Sequence, residues 1–176
     1  MLWLSPIGAL ELCATKGKLF MLRIISMVTA AILAALAMPA AAQMVSAADP
    51  ASLVTVLQAK GYQAELTKND DGDPMIRSAM DGSKFIILFY GCTKNRACQT
   101  IQFYAGFKSD GDVSIETMNE WNKENRFGRA YIDADKDPVV EMDVDLDDGG
   151  MSRALFEDNF EFWEVLMPDF KKTIGR

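Results

Sequence analysis

The chain contains no histidine among its 176 residues. This absence excludes the Ser-His and Cys-His pairs that activate many enzyme nucleophiles. It also removes the commonest nitrogen ligand of zinc, and Cys92 and Cys98 do not have the C-x-x-C spacing of zinc-binding pairs. The sequence therefore predicts a non-enzymatic protein with no catalytic residue, no metal centre and no cofactor.

Basic residues are scarce as well, with 18 Lys and Arg against 25 Asp and Glu. Residues 1–42 hold three of the basic residues and one of the acidic residues, so the rest of the chain carries a net charge of −9. Such an excess repels nucleic acids and anionic membrane surfaces. We expect no nucleic-acid partner, and contact with a membrane only through an uncleaved N-terminal segment.

Residues 1–42 have the pattern of a secretory signal peptide. Arg23 precedes an apolar run over residues 24–38, and a proline and three alanines follow that run. The run is shorter than the roughly 18 residues that indicate a membrane-spanning helix, and its order of charged, apolar and small residues is typical of a cleavable signal. We therefore expect cleavage after Ala42 and a periplasmic or secreted protein.

Cleavage would leave residues 43–176, which is enough chain for one domain. Met21 is an alternative start of the chain, because residues 1–20 show no packing pattern. Two cysteines remain after cleavage, Cys92 and Cys98, with five residues between them. Export to an oxidising compartment predicts a disulfide between them, which would stabilise the fold by about 2 kcal/mol.

The segment over residues 84–107 predicts a β-hairpin, because two apolar runs flank the connector that carries both cysteines. A disulfide would fix the register of the two strands. One face would then be apolar and carry Phe85, Ile87, Phe89, Ile101, Phe103 and Ala105. The other face would be mixed and carry Ile86, Leu88, Tyr90, Thr100, Gln102 and Tyr104. Two interpretations of the mixed face are open: ordinary outer-face residues, or a partner surface formed by Ile86, Leu88, Tyr90 and Tyr104.

The other segments before the C-terminal helix also carry local signals. Asp81-Gly82 predicts a tight hairpin turn before the central hairpin. In the helix predicted over 114–125, Ile115, Met118 and Trp121 share one stripe. Asn122 or Asn125 is expected to bond the exposed carbonyls at its C-terminal end, and ligand binding by these amides is the alternative. The remaining predicted elements are a helix over 50–60 and strands over 62–67, 74–80, 128–133 and 139–146.

The last predicted strand is acidic on one face. Val140, Met142, Val144 and Leu146 alternate with Glu141, Asp143, Asp145 and Asp147. Period two places the two sets on opposite faces. Three interpretations are open: a solvated acidic face, a divalent-ion site, or a hydrolytic site that uses Glu141, Asp143 and Asp145.

The C-terminal segment predicts an amphipathic helix that covers the sheet. Leu155, Phe162 and Leu166 widen the apolar stripe, so part of it could instead form a homodimer or partner surface. Pro168 is expected to kink or restart the helix. The stripe itself consists of Phe156, Phe160, Trp163, Met167, Phe170 and Ile174.

From Asn119 the sequence runs through WNKENRFGRAYIDADKDPVVEMDVDLDDGG to the aromatic terminal helix, and this half resembles the YbjN family of bacterial proteins. Members are often labelled sensory transduction regulators. The resemblance implies an α+β fold related to the chaperones of type III secretion, with helices on an antiparallel sheet. It also implies a binding or regulatory role without catalytic residues.

The sequence thus predicts a single YbjN-like α+β domain over residues 43–176, in the order α-β-β-β-β-α-β-β-α. We expect an antiparallel sheet of about five to six strands covered by helices. The expected function is an exported, non-enzymatic module that binds an unidentified protein or peptide. The alternative is an ion-binding or hydrolytic envelope protein that uses the acidic strand from Glu141 to Asp147.

Overall fold

The computed structural model describes residues 43–176. The predicted signal peptide, its cleavage after Ala42 and the alternative start at Met21 fall outside these residues. Among the helices of the described part, none is both long and apolar enough to cross a membrane. The helices are α1 (Pro50–Ala59), α2 (Ile115–Glu124) and α3 (Arg153–Thr173), and the strands are β1 (Met44–Val45), β2 (Ala64–Lys68), β3 (Pro74–Met80), β4 (Ser83–Tyr90), β5 (Thr100–Gly106), β6 (Arg129–Ile132), β7 (Pro138–Asp145) and β8 (Met151–Ser152).

The fold is α+β, as predicted, and its main sheet has six antiparallel strands in the order β2-β3-β4-β5-β7-β6. The predicted succession of elements is confirmed, and two short strands, β1 and β8, are added to it. The first four strands of the sheet form a meander. Strand β7 then lies between β5 and β6, which places the acidic strand inside the sheet.

The central hairpin has the predicted register, with Ile87 opposite Phe103 and Phe89 opposite Ile101. Asp81 and Gly82 both adopt positive φ in the turn before it, as a tight two-residue hairpin turn requires. The apolar face of the hairpin is buried.

Helix α3 covers that apolar face with aromatic side chains. The ring of Phe103 lies 5.5 Å from Trp163, 5.8 Å from Phe160 and 6.5 Å from Phe156, measured between centroids. All four side chains are fully buried, and burial of one such side chain contributes about 1.5–3 kcal/mol. Leu53 and Leu57 of α1 join the same core.

Three residues expected on buried helix stripes are exposed, which corrects the sequence interpretation. Leu155 and Phe162 flank the buried stripe of α3, and only Leu166 of the three flanking residues is buried. A helix that lies on one sheet buries a single stripe, so its flanks stay in solvent. Ile115 is exposed because it begins α2, beyond the buried contacts of Met118 and Trp121.

Pro168 lies inside α3, and the helix continues to Thr173. Of the two effects expected of the proline, a kink or a restart, the restart does not occur. The buried residues on both sides of it, Met167 and Phe170, keep this part of the helix on the core, since tertiary packing offsets the hydrogen bond that a proline removes.

The short strands β1 and β8 join the start of the described chain to α3. Val45 is fully buried, and the carbonyl oxygen of Gln43 accepts a hydrogen bond of 2.8 Å from the backbone N–H of Arg153. Gly150 makes this pairing possible. Its φ is +87°, and a Cβ there would lie 2.1 Å from the carbonyl oxygen of Val45.

Candidate functional site

The mixed face of the central hairpin lies on the side of the sheet opposite α3. Ile86 pairs with Tyr104, Leu88 with Gln102, and Tyr90 with Thr100. The structure thus brings Ile86, Leu88, Tyr90 and Tyr104 together, and we call these four residues the outer-face patch. Tyr90 is 45% exposed and the other three are half-buried.

Hydrogen bonds connect the outer-face patch to the acidic strand. The hydroxyl of Tyr90 donates to Oε1 of Gln102 at 3.1 Å, and Nε2 of Gln102 donates to Oδ1 of Asp143 at 2.8 Å. Gln102 is buried. Because both ends of its amide are bonded, it holds the Tyr90 side chain in one orientation on the sheet.

Glu141 lies at the centre of the polar part of this face and is only 5% exposed. Arg129 donates to its Oε2 through Nε at 3.1 Å and also through Nη2. The hydroxyl of Tyr131 donates to Oε1 at 2.7 Å. The interpretation of a solvated row of acids is therefore wrong at Glu141, because strand β6 provides partners that cover this carboxylate.

The tyrosines on this face stay protonated over a wide pH range. Burial and the hydrogen bond to Glu141 raise the pKa of Tyr131 far above its ordinary value. Burial also raises the pKa of Tyr90 and Tyr104, and the negative charge of Glu141 adds to both shifts. These phenols therefore stay neutral to a higher pH than a freely exposed tyrosine does.

The disulfide connects the two ends of the β4–β5 connector. Cys92 and Cys98 are bonded, and Cys98 is buried in the core. The same connector contacts its neighbours: Nδ2 of Asn95 donates to Oδ1 of Asp73 at 2.9 Å, and Nε2 of Gln99 donates to Oδ2 of Asp147 at 3.1 Å. The bond thus fixes a loop that touches both the β2–β3 turn and the end of the acidic strand.

The family model of YbjN, described as "Putative bacterial sensory transduction regulator", matches residues 49–176. The chain belongs to the YbjN family. A search of curated proteins finds no match to this chain. The description of the family is that of a regulator rather than an enzyme, which agrees with the role expected from the sequence.

In this YbjN domain the acids of the alternative interpretation differ in their surroundings. Glu141 is bonded to Arg129 and Tyr131, while Asp143 and Asp145 are exposed. Among residues 43–176 no group of three or more His, Cys, Asp or Glu side chains is arranged to hold a metal ion. The geometry therefore gives Glu141 a structural role in the sheet.

The sequence did not indicate that the side chain of Asn122 bonds the backbone of strand β6. Its Oδ1 accepts from the backbone N–H of Ala130 at 2.7 Å, and its Nδ2 donates to the carbonyl oxygen of Ala130 at 2.9 Å. The expected capping role belongs to Asn125, whose Nδ2 donates to the carbonyl oxygen of Trp121 at 3.0 Å. The pair of asparagines around the helix end was the available signal, but it does not say which of them reaches the strand.

Arg129 and Tyr131 were missed as well. They alternate on β6 at positions 129 and 131, so they share a face, and this spacing was visible in the sequence. Their carboxylate partner could not be identified, because the sequence does not show in which register β6 pairs with β7.

Proposed function

We propose that the protein is an exported regulatory module that binds a protein partner through the outer-face patch. The observation that carries this proposal is the position of Ile86, Leu88, Tyr90 and Tyr104, which lie together in the middle of the sheet on the face opposite the aromatic core. Aromatic side chains with a polar end are enriched in the energetically important centres of protein interfaces.

The hydrogen bonds around the patch support binding without large losses of side-chain entropy. Tyr90 is already held by Gln102, and Gln102 by Asp143. A surface that is ordered before binding loses less conformational freedom when the partner arrives. The partner would contact the apolar bodies of the two tyrosines and leave the hydrogen bond of the Tyr90 hydroxyl in place.

The chemistry of the face favours binding over catalysis. The buried carboxylate of Glu141 is engaged by Arg129 and Tyr131, and the raised pKa values make the phenols harder to ionise than an ordinary tyrosine. A general base needs a free acceptor near the substrate, and a phenol nucleophile needs to ionise. Together with the family description, these contacts support a regulator.

The second part of the proposal is export: the protein is cleaved after Ala42 and is then periplasmic or secreted. The support is the signal-like pattern of residues 1–42 and the bond between Cys92 and Cys98. Disulfides persist in oxidising compartments and are rare in the cytosol.

The test is affinity capture from a bacterial envelope extract with the wild-type protein and the variants Tyr90→Asp and Tyr104→Asp. Ile115→Asp is the matched control, because Ile115 is an exposed apolar residue on α2. We expect a protein retained by the wild type and by Ile115→Asp, and lost from both tyrosine variants. Thermal unfolding of each variant shows whether it is folded. Identical captured proteins for all four folded proteins would contradict the proposal.

A further inference from the structure

The sheet has an open edge at the C-terminal half of β7. Strand β7 pairs with β5 from Val139 to Asp145, but its pairing with β6 ends at Arg129 opposite Glu141. The part of β7 from Met142 to Asp145 therefore has a strand partner on one side only.

Two hydrogen bonds show which backbone groups lie at this edge. The N–H of Phe107 donates to the carbonyl oxygen of Pro138 at 3.0 Å, and the N–H of Leu146 donates to the carbonyl oxygen of Gln99 at 3.1 Å. In an antiparallel ladder the direction alternates from residue to residue. Even-numbered residues from 138 to 146 thus point to β5, and the N–H and C=O groups of Asp143 and Asp145 point to the open edge.

No residue in the range 43–176 forms a backbone hydrogen bond to these edge groups of Asp143 and Asp145. The outer edge of β6 differs, because Asn122 bonds both the N–H and the C=O of Ala130. The fold therefore closes one part of this sheet edge with a side-chain amide and leaves the adjoining part accessible.

The chain that leads into β6 does not continue the ladder along the open edge. Continued register would place Phe127 opposite Asp143, but Phe127 instead stacks on Phe162 of α3, with ring centroids 4.2 Å apart. Both rings are exposed. The open edge thus has exposed aromatic rings towards the helix layer and the carboxylates of Asp143 and Asp145 on the outer face.

We propose that this edge binds an extended segment of a protein partner, added as a strand, in which basic residues alternate with apolar residues. Its backbone would complete the ladder at Asp143 and Asp145. Side chains opposite these residues would point to the outer face, where basic groups meet the two carboxylates. The intervening side chains would point towards Phe127 and Phe162, where apolar groups are favoured.

The negative charges of Asp143 and Asp145 disfavour a second copy of the chain as the bound strand. Pairing of two β7 edges would bring Asp143 and Asp145 of one copy close to the same residues of the other, and like charges across strands are unfavourable. The edge is formed by backbone groups of β7, whereas the outer-face patch lies on β4 and β5, and Gln102 links the two through its hydrogen bond to Asp143. The proposal rests on the unpaired backbone of β7 and does not depend on the proposed function of the patch.

The test uses protein purified from cells that express the full chain, and a fluorescent peptide of about seven residues with alternating lysine and valine. An alternating glutamate and valine peptide is the control. We expect binding of the lysine peptide only, together with slower amide hydrogen exchange at Asp143 and Asp145. Asp143→Lys combined with Asp145→Lys should weaken binding at least about tenfold.

Asp70→Lys combined with Asp71→Lys is the matched control, because it makes the same change of charge at the exposed β2–β3 turn. Asp145→Pro removes one N–H from the edge without removing a bond to β5, and it should also weaken binding of the peptide. Equal weakening by both pairs of lysine substitutions, or binding without amide protection, would overturn the proposal. Protection that appears without peptide and increases with protein concentration would overturn it in favour of a second copy.

Discussion

Arg129 and Glu141 lie opposite each other on β6 and β7, and the guanidinium donates two hydrogen bonds to the buried carboxylate. The two side chains differ in exposure, since the carboxylate is buried and the arginine side chain is 63% exposed. The pair therefore connects the outermost strand to the polar centre of the face. We therefore expect Arg129 to contribute to stability although its side chain lies at the surface.

We predict that Arg129→Ala lowers the free energy of unfolding by about 1–2 kcal/mol, because a buried carboxylate loses charged donors while the exposed arginine is partly screened by water. Urea unfolding measures the change. Lys123→Ala is the control, since its ion pair with Glu120 is mostly exposed and should contribute less than about 0.5 kcal/mol. Equal decreases in the free energy of unfolding for the two variants would show that Arg129 does not stabilise the buried carboxylate of Glu141.

The close approach at Gly150 gives a second prediction. Gly149 and Gly150 both have positive φ, but a Cβ at Gly149 would meet nothing within 4 Å. We expect Gly149→Ala to cost about 1 kcal/mol from backbone conformation alone. Gly150→Ala should exceed this cost by about 1–3 kcal/mol because its Cβ would collide with the backbone of Val45. The measurement is urea unfolding, and equal costs would argue against the β1–β8 pairing.

The four tyrosines of the chain predict a loss of stability at alkaline pH. Burial, with help from Glu164, raises the pKa of Tyr62 to about 12, and the pKa values of Tyr90, Tyr104 and Tyr131 are also raised. In the unfolded chain the tyrosine hydroxyl titrates at about pH 10. A raised folded-state pKa contributes stability that is present below the unfolded pKa and is lost as pH rises through the folded pKa.

Ultraviolet absorbance should therefore show tyrosinate in urea-unfolded protein at about pH 10.5 but little in native protein. Urea unfolding should give a free energy that falls between about pH 10 and 12, and Tyr62→Phe should make this fall less steep. A native titration that matches the unfolded one would contradict the burial of these hydroxyls.

Export and the disulfide are tested together by the intact mass of protein recovered from the native envelope fraction. We predict a mass that begins at Gln43, with Cys92 and Cys98 unreactive towards an alkylating reagent. Replacement of both by alanine should cost about 2 kcal/mol in unfolding free energy. A mass that begins at Met1 or Met21, with alkylated cysteines, would contradict export.

The sequence was sufficient for the parts of the fold that local patterns determine. The cysteine pair and the apolar alternation predicted the hairpin register, and the aromatic spacing in α3 predicted its buried stripe. The strands β1 and β8 have two residues each, which is too short for any periodic pattern. Their pairing depends instead on the close approach of Gly150 to Val45.

The candidate site was only partly predictable for a related reason. The outer-face patch follows from the hairpin register, so Ile86, Leu88, Tyr90 and Tyr104 could be placed on one face. The contacts of Arg129 and Tyr131 with Glu141 depend on the register in which β6 pairs with β7, which the sequence does not show. Phe127 lies just before β6 and stacks on Phe162, and local patterns cannot predict a contact between residues so distant in sequence.

The most direct test of the proposed partner surface is cross-linking in living cells with a photoreactive residue in place of Leu88. The control carries the same residue in place of Val165, which is 68% exposed on the outer side of α3. We predict a covalent adduct with another protein from position 88, its loss when Tyr90→Asp is added, and no such adduct from position 165. An adduct from position 165 alone, or none from position 88, would contradict a partner surface at the outer-face patch.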